Sequence, residues 1–255
     1  PSVAAVPESI DAAVIVVPAK LVIQMADECG KKGVKGLIVI TSGFSEVGRR
    51  DLEDELVATS RRYGMRVLGP NIVGNLSNSD KLNASFAPFL PLPGKATLVS
   101  QSGALLIAID ASTYTRRVGF DRLVSIGNMS DVDFADLIEF LDDDPNTSCI
   151  TLYIEGFKDG RRFIDAARKC HKPIIALKAG VSAHGAAAAA SHTGSLAGAA
   201  AVGCGNGSIR CKCHGLPILS SSSAMMRAEQ PIRTPASTTR TGSKWTARGS
   251  LHFAG

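Results

Sequence analysis

ATLVSQSGALLI, residues 96–107, is the stretch on which the reading of the fold turns. Ala96 to Val99 is short, apolar and β-rich, Ser100-Gln101-Ser102-Gly103 is a turn with capping hydroxyls, and a run of good helix formers follows. A strand that passes directly into a helix through such a turn opens a β-α-β unit. The same pattern repeats outward on both sides. Downstream, strands are predicted at 122–126, 149–154 and 173–178, with helices near 103–116, 132–143 and 159–170. Upstream, AAVIVV (12–17), GLIVI (36–40) and MRVL (65–68) read as strands separated by helices at about 19–30 and 46–63. Residues 69–95 hold four prolines, several Asn and Ser and no periodicity, so they read as a linker.

The expected fold class is α/β, as two doubly wound parallel-sheet domains followed by an irregular C-terminal tail. The expected boundaries are residues 1–90, 91–198 and 199–255. The first set has only three strands, and Pro1 opens it in mid-motif, so its beginning is expected to be absent. From about residue 199 the text becomes rich in Gly, Ser, Thr and Arg, with neither a period of 2 nor of 3.6, and is expected to be disordered or to reflect a change of reading frame.

Composition narrows the functional classes. With 255 residues, 45% of them hydrophobic, the chain can bury substantial cores. Its longest apolar runs fall well short of the ~20 residues that span a bilayer, and no basic-then-apolar leader precedes them, so no membrane role is expected. The six cysteines are diluted along the chain, which argues against a disulfide scaffold and for a reducing, cytoplasmic setting. The net charge of +5 comes from residues 199–255, which hold seven Lys or Arg against Glu229 alone. The remainder is slightly acidic, so nucleic acid is not an expected partner.

Open α/β sheets gather ligands at the carboxyl ends of their strands. There the second set delivers Ser100, Gln101, Ser102 and Gly103, then Gly127 and Asn128, then Glu155 and Gly156, and finally a small-residue loop with Ser191-His192-Thr193-Gly194. Free N–H groups at a helix start favour phosphate, and an imidazole steadied by a carboxylate is a competent nucleophile toward phosphorus. Taken singly, each signal has a plain alternative: a capped tight turn, a solvated loop histidine, a strand-end ion-pair partner. His171 and His184 are assigned no role, and Arg49-Arg50 and Arg61-Arg62 read as a solvated helix face. Cys204, Cys211, Cys213 and His214 lack paired C-x-x-C spacing, so no metal site is expected.

Read in order, AAVIVVPAK (12–20), LIVITSGFSEVG (37–48), VLGPNIVGNLS (67–77), LVSQSGALL (98–106), SIGNMSDVDFADLIEFLDDDP (125–145), LYIEG (152–156) and ASHTGSLAG (190–198) carry a family likeness. Residues 12 to about 198 resemble the alpha subunit, or alpha-type half, of the nucleoside-diphosphate-forming acyl-CoA synthetases, most closely the ADP-forming acetate-CoA ligases, with succinyl-CoA synthetase a more distant relative. The resemblance implies a CoA-binding Rossmann-like domain, here truncated, followed by a flavodoxin-like ligase domain.

It also implies CoA or acyl-CoA and phosphate as ligands and a phosphohistidine intermediate. ADP or ATP with Mg would sit on an ATP-grasp partner, as a beta subunit or a fused domain, in an enzyme that is oligomeric when complete. On this chain the phosphorylated histidine would be His192 and the glutamate steadying it Glu155. The phosphate site would be Ser100, Gln101, Ser102, Gly103, Gly127, Asn128 and Gly194. The CoA-facing strand ends would be Val17, Pro18 and Ala19 with Ile40, Thr41 and Ser42. Ile107 stands where succinate-handling relatives tend to carry tyrosine, which favours a small or apolar acyl group. Two rival readings are a non-catalytic acyl-CoA-sensing module of a protein acetyltransferase and an inactive truncated gene product.

Overall fold

The structure is a computed structural model, and it describes residues 2–180. The first sheet is formed by β1 (Ala12–Ile15), β2 (Gly36–Val39) and β3 (Arg66–Leu68), all parallel and in sequential order. Helices α1 (Ala19–Lys32) and α2 (Arg50–Arg62) make the crossovers. They pack on each other and on a core of Val22, Ala26, Cys29, Leu37, Val39, Phe44, Leu56, Met65 and Val67. α1 stops at Gly33, whose φ of 85° is left-handed and whose N–H donates back to the Cys29 and Gly30 carbonyls.

The second sheet runs β5-β4-β7-β6-β8-β9. Its parallel part is β6 (Pro93–Ser100), β7 (Phe120–Ser125), β8 (Cys149–Ile154) and β9 (Ile174–Lys178), joined by α3 (Gly103–Arg116), α4 (Phe134–Asp143) and α5 (Gly160–Lys169). Adjacent residues point to opposite faces of a strand, so Leu98 and Leu123 pack with Leu106 of α3 while Val99 and Val124 pack with Phe134, Ile138 and Leu141 of α4. Helices therefore cover both faces, as in a doubly wound domain.

All seven predicted strands and five predicted helices form. The linker reading of residues 69–95 does not hold. β4 (Gly74–Ser77) and β5 (Leu82–Ser85) form an antiparallel pair that docks along β7, with Leu76 opposite Leu123. Their text, GNLS and LNAS, is poor in β-branched and aromatic residues, so only the tertiary pairing makes them strands. The tail from residue 199 lies outside the described residues. Among those described, no helix is long and apolar enough to cross a membrane.

The two sheets are tied at one loop. Between β7 and α4, Asp131 accepts from Arg66 Nε (2.8 Å), Arg61 (3.3 Å) and the Val67 N–H (2.9 Å), all on the first sheet's side. Val132 N–H donates to the Val67 carbonyl, and Ser130 donates to the Gly69 carbonyl through both its N–H and its hydroxyl. The Asp131 carboxylate is 5% exposed, and Arg61, read from sequence as part of a solvated face, spends one guanidinium nitrogen on it.

Replacing Asp131 with alanine leaves the Val67 N–H without its acceptor, frees the Arg61 guanidinium to water and leaves Arg66 with Asp136 alone. The expected loss is about 1–3 kcal/mol of unfolding free energy, read as a lower urea midpoint with unchanged slope.

Candidate functional site

The parallel part of the second sheet reverses direction at β6: the chain goes from β6 to β7 on one side, then to β8 on the other. The crevice outside the carboxyl ends of β6 and β8 is the topological switch point, where loops diverge and leave room. Here β6 delivers Ser100 to Gly103 and β8 delivers Glu155 and Gly156. A cleft of about 380 Å³ opens there, lined by Gln101, Ser102, Gly103, Gly127, Asn128 and Glu155, with Ile40, Ile72, Val73 and Phe86 among the apolar residues around it.

Each polar group is fixed by its own bonds. Ser102 caps α3, its hydroxyl accepting from the Leu105 N–H at 3.3 Å, and Ser100, fully buried, donates to the Ser102 carbonyl at 2.8 Å. The helix start is thereby held with its positive dipole end toward the cleft. Gly103 is required because a Cβ there would lie 2.5 Å from a methyl of Val73.

Gln101 is 6% exposed, and its Oε1 accepts from the Glu155 N–H (2.6 Å) and the Gly156 N–H (2.9 Å). Two main-chain donors fix which end of the amide is oxygen, leaving Nε2 as a buried donor with no hydrogen-bond acceptor among the described residues. A buried donor of this kind is costly unless a ligand accepts from it.

The β7 loop is shaped by Gly127, whose φ is +47° and whose Cβ would meet the Asn71 carbonyl oxygen at 2.3 Å. Its neighbour Asn128 donates its N–H to the Pro70 carbonyl, accepts at Oδ1 from Asn71 Nδ2 (3.2 Å) and donates from Nδ2 to Glu46 Oε2 (2.6 Å). Burial pushes the Glu46 carboxyl upward, but the hydrogen bonds from Asn128 and from the Gly43 and Phe44 N–H groups outweigh it, and the group stays below the usual carboxylate range.

On the far side, Lys178 donates to the Glu155 carbonyl at 2.9 Å. Burial lowers its ammonium pKa against the opposing pull of the Glu155 charge. Burial, then the same charge, raises the Tyr153 phenol.

The structure brings together most of the residues singled out from sequence, on one cleft. Ser100 lies directly beneath it. Of the strand ends of the first sheet, Ile40 and Ser42 line the cleft. Thr41 donates its hydroxyl to the Val17 carbonyl at 2.7 Å, which clasps the ends of β1 and β2. Pro18 and Ala19 open α1 beside them and do not line the cleft. His192 and Gly194 lie outside the described residues, as does His184. Ile107 packs in the core cluster under α3 and does not line the cleft. His171 is bonded to Asp142 at 2.9 Å, away from the cleft.

Sequence reasoning missed Asn71, Ile72, Val73 and Phe86, which belong to the stretch taken for a linker, and Glu46 and Lys178, each one charged residue in an otherwise uncharged run. The sequence signal that could have found the first group is the left-handed-tolerant Gly69 and Asn71 flanking Pro70, with φ of 101° and 60°.

Comparison with known proteins agrees with this architecture. Residues 93–204 match the succinyl-CoA ligase like flavodoxin domain family, and residues 1–43 match the CoA binding domain family. The alpha subunit of the ADP-forming acetate-CoA ligase I of Pyrococcus furiosus is 54% identical over 201 residues, covering 77% of this chain and 44% of that protein. The ADP-forming acetate-CoA ligase of Methanocaldococcus jannaschii is 49% identical over 199 residues, covering 77% of this chain and 28% of that protein. Among solved structures, the dinucleotide-forming acetyl-coenzyme A synthetase 1 of Ca. Korarchaeum cryptofilum, in complex with phosphate and ADP, superposes with a TM-score of 0.75 at 51% identity, covering 78% of this chain and 44% of that one.

The architecture is thus a Rossmann-like CoA-binding unit joined to a flavodoxin-like unit with a polar cleft at its switch point. The chain carries a succinyl-CoA ligase like flavodoxin domain over residues 93–204 and a CoA binding domain match over residues 1–43, and is similar over about 200 residues to the alpha subunits of ADP-forming acetate-CoA ligases. It spans less than half the length of these two curated relatives.

Gly127 offers a direct test of how tightly the cleft is built. Gly127→Ala combines a left-handed cost of roughly 1–2 kcal/mol with a clash against rigid main chain. It is expected to lower the urea midpoint and to shift the amide NMR resonances of Asn71 and Asn128, while β1 and its neighbours are unaffected.

Proposed function

We propose that this chain is the CoA-handling and phosphoryl-carrying part of an ADP-forming acyl-CoA synthetase. The observation that carries the reading is the floor of the cleft: a helix start and a locked, acceptor-seeking Gln101 amide converge at the switch point of a chain similar to these ligases. Such a surface suits a phosphate or phosphoryl oxygen, and its donors are in place before the ligand arrives.

In the proposed sequence, the amides of Ser102 and Gly103, the Gln101 side chain and the Gly127-Asn128 turn orient inorganic phosphate against an acyl thioester. A phosphate oxygen bonds to the acyl carbon, the carbon–sulfur bond breaks, and the CoA thiol leaves with a proton. His192 then attacks phosphorus through one ring nitrogen, the bond between phosphorus and the acyl oxygen breaks, and the carboxylate departs. Glu155 accepts from the other ring nitrogen and steadies the imidazole, with Gly194 giving the phosphoryl group room.

The strand ends Val17 to Ala19 and Ile40 to Ser42 face CoA, in keeping with the CoA-binding family match in that region. The phosphoryl group passes to ADP, held with Mg on an ATP-grasp partner that is either a beta subunit or a fused domain of a cytoplasmic, oligomeric enzyme.

The test is phosphoryl labelling. The full chain incubated with acetyl phosphate labelled in its phosphoryl group is expected to acquire an acid-labile, base-stable label, and His192→Ala to abolish it. Retention of the label in that variant would overturn the assignment. Glu155→Gln is expected to slow labelling by about 100-fold through loss of the orienting acceptor, and an unchanged rate would remove that role.

A further inference from the structure

Glu53 is a buried carboxylate, 4% exposed, in the first turn of α2, and it does not line the cleft. Its two oxygens serve two different loops of the other sheet. Oε2 accepts from the Ser45 hydroxyl at 2.6 Å and from Asn128 Nδ2 at 2.9 Å. Oε1 faces Lys158 Nζ at 3.4 Å. Asn128 belongs to the loop after β7, and Lys158 stands three residues beyond Glu155 in the loop after β8. One side chain of the CoA-binding domain therefore reaches both loops that wall the ligase-domain cleft.

We propose that Glu53 is a positioning residue that sets the spacing of these two loops, holding Asn128 and the Glu155 loop in register with the floor at Gln101. The proposal rests on the reading of the cleft as a phosphoryl-transfer site for its catalytic consequence, and on geometry alone for its structural one.

The choice of side chain follows from what surrounds it. Every partner is a donor: a main-chain N–H, a hydroxyl, an amide NH2 and an ammonium. A carboxylate is the side chain of this length that accepts at both ends, whereas glutamine, keeping its oxygen on the Ser45 and Asn128 donors, would turn its NH2 toward Lys158. Burying a carboxylate with a single cation at 3.4 Å is a poor source of stability, since apolar packing of equal volume commonly serves as well. What the group supplies here is a fixed distance between two segments that have no strand pairing with each other. Asn128 Nδ2 faces Glu53, Glu46 and the Ser45 hydroxyl, while Lys158 joins the β8 loop to α2.

The experiment compares Glu53→Gln, Lys158→Met, their double variant and Glu53→Ala in the full chain, with two readouts. By hydrogen exchange, Glu53→Gln and Lys158→Met are expected to speed exchange in residues 155–158 and to leave 127–130 unchanged. Glu53→Ala is expected to speed both segments while β6 and β8 stay protected. By labelling with acetyl phosphate, Glu53→Ala is expected to lower the saturating rate about tenfold, with unchanged final amplitude and half-saturating concentration, because misplacement slows the step without removing folded protein. The double variant should be no slower than the slower single variant, since both changes sever one contact.

Exchange unchanged in either loop of Glu53→Ala, or single-variant losses that multiply in the double, would overturn the proposal. A drop in amplitude with an unchanged rate would do the same, by reducing Glu53 to a stability residue. If Glu53→Ala does not fold, the Gln and Met variants carry the same decision. A wild-type chain that takes no label would count against phosphoryl transfer, while the exchange readout still decides what Glu53 does.

Discussion

The loop from Gly127 to Val132 is the constraint on which the rest of the molecule depends. At one end the Asp131 carboxylate draws in Arg66, Arg61 and the Val67 N–H, at the other Asn128 is bonded to Pro70, Asn71 and Glu46, and in the middle Ser130 closes on Gly69. Most of these bonds join main chain or buried side chains, so they are exchanged against little water and keep a defined geometry. Neither sheet would build the cleft alone: the floor comes from β6 and β8, and one wall from the end of β2 and the segment after β3.

The architecture divides its labour accordingly. The parallel strands and their helices form a rigid frame, with alternate residues such as Leu98 and Val99 committed to opposite cores. The chemistry-bearing groups sit on the short turns where strands end, each locked by main-chain donors and acceptors. Gln101, Ser102 and Asn128 have little rotameric freedom left to lose when a ligand binds, which is the physical content of preorganisation.

Much of this was legible beforehand because the frame obeys local rules. Hydrophobic runs such as AAVIVV and GLIVI, and the Ser102 cap after ATLVS, place strands and helices within a few residues of where they form, and the ends of those strands then name Gln101, Asn128 and Glu155. What escaped reading lies where tertiary contacts overrule propensity. Gly74 to Ser77 and Leu82 to Ser85 become strands through their register with β7, and Ile72, Val73 and Phe86 reach the cleft only because that hairpin docks. Glu46 and Glu53 looked like ordinary charges in and before an amphipathic helix. Nothing local reveals that they turn inward to meet an asparagine about eighty residues later.

The locked amide of Gln101 has a consequence for what the crevice can admit. With its oxygen committed to Glu155 and Gly156, the side chain shows only hydrogens to an incoming molecule, so ammonium and other donor-only species find no welcome there. A glutamate of nearly identical outline would keep both main-chain bonds yet turn an oxygen outward. The orientation of that one nitrogen thus decides whether this point of the crevice floor offers a hydrogen or a lone pair to an incoming anion.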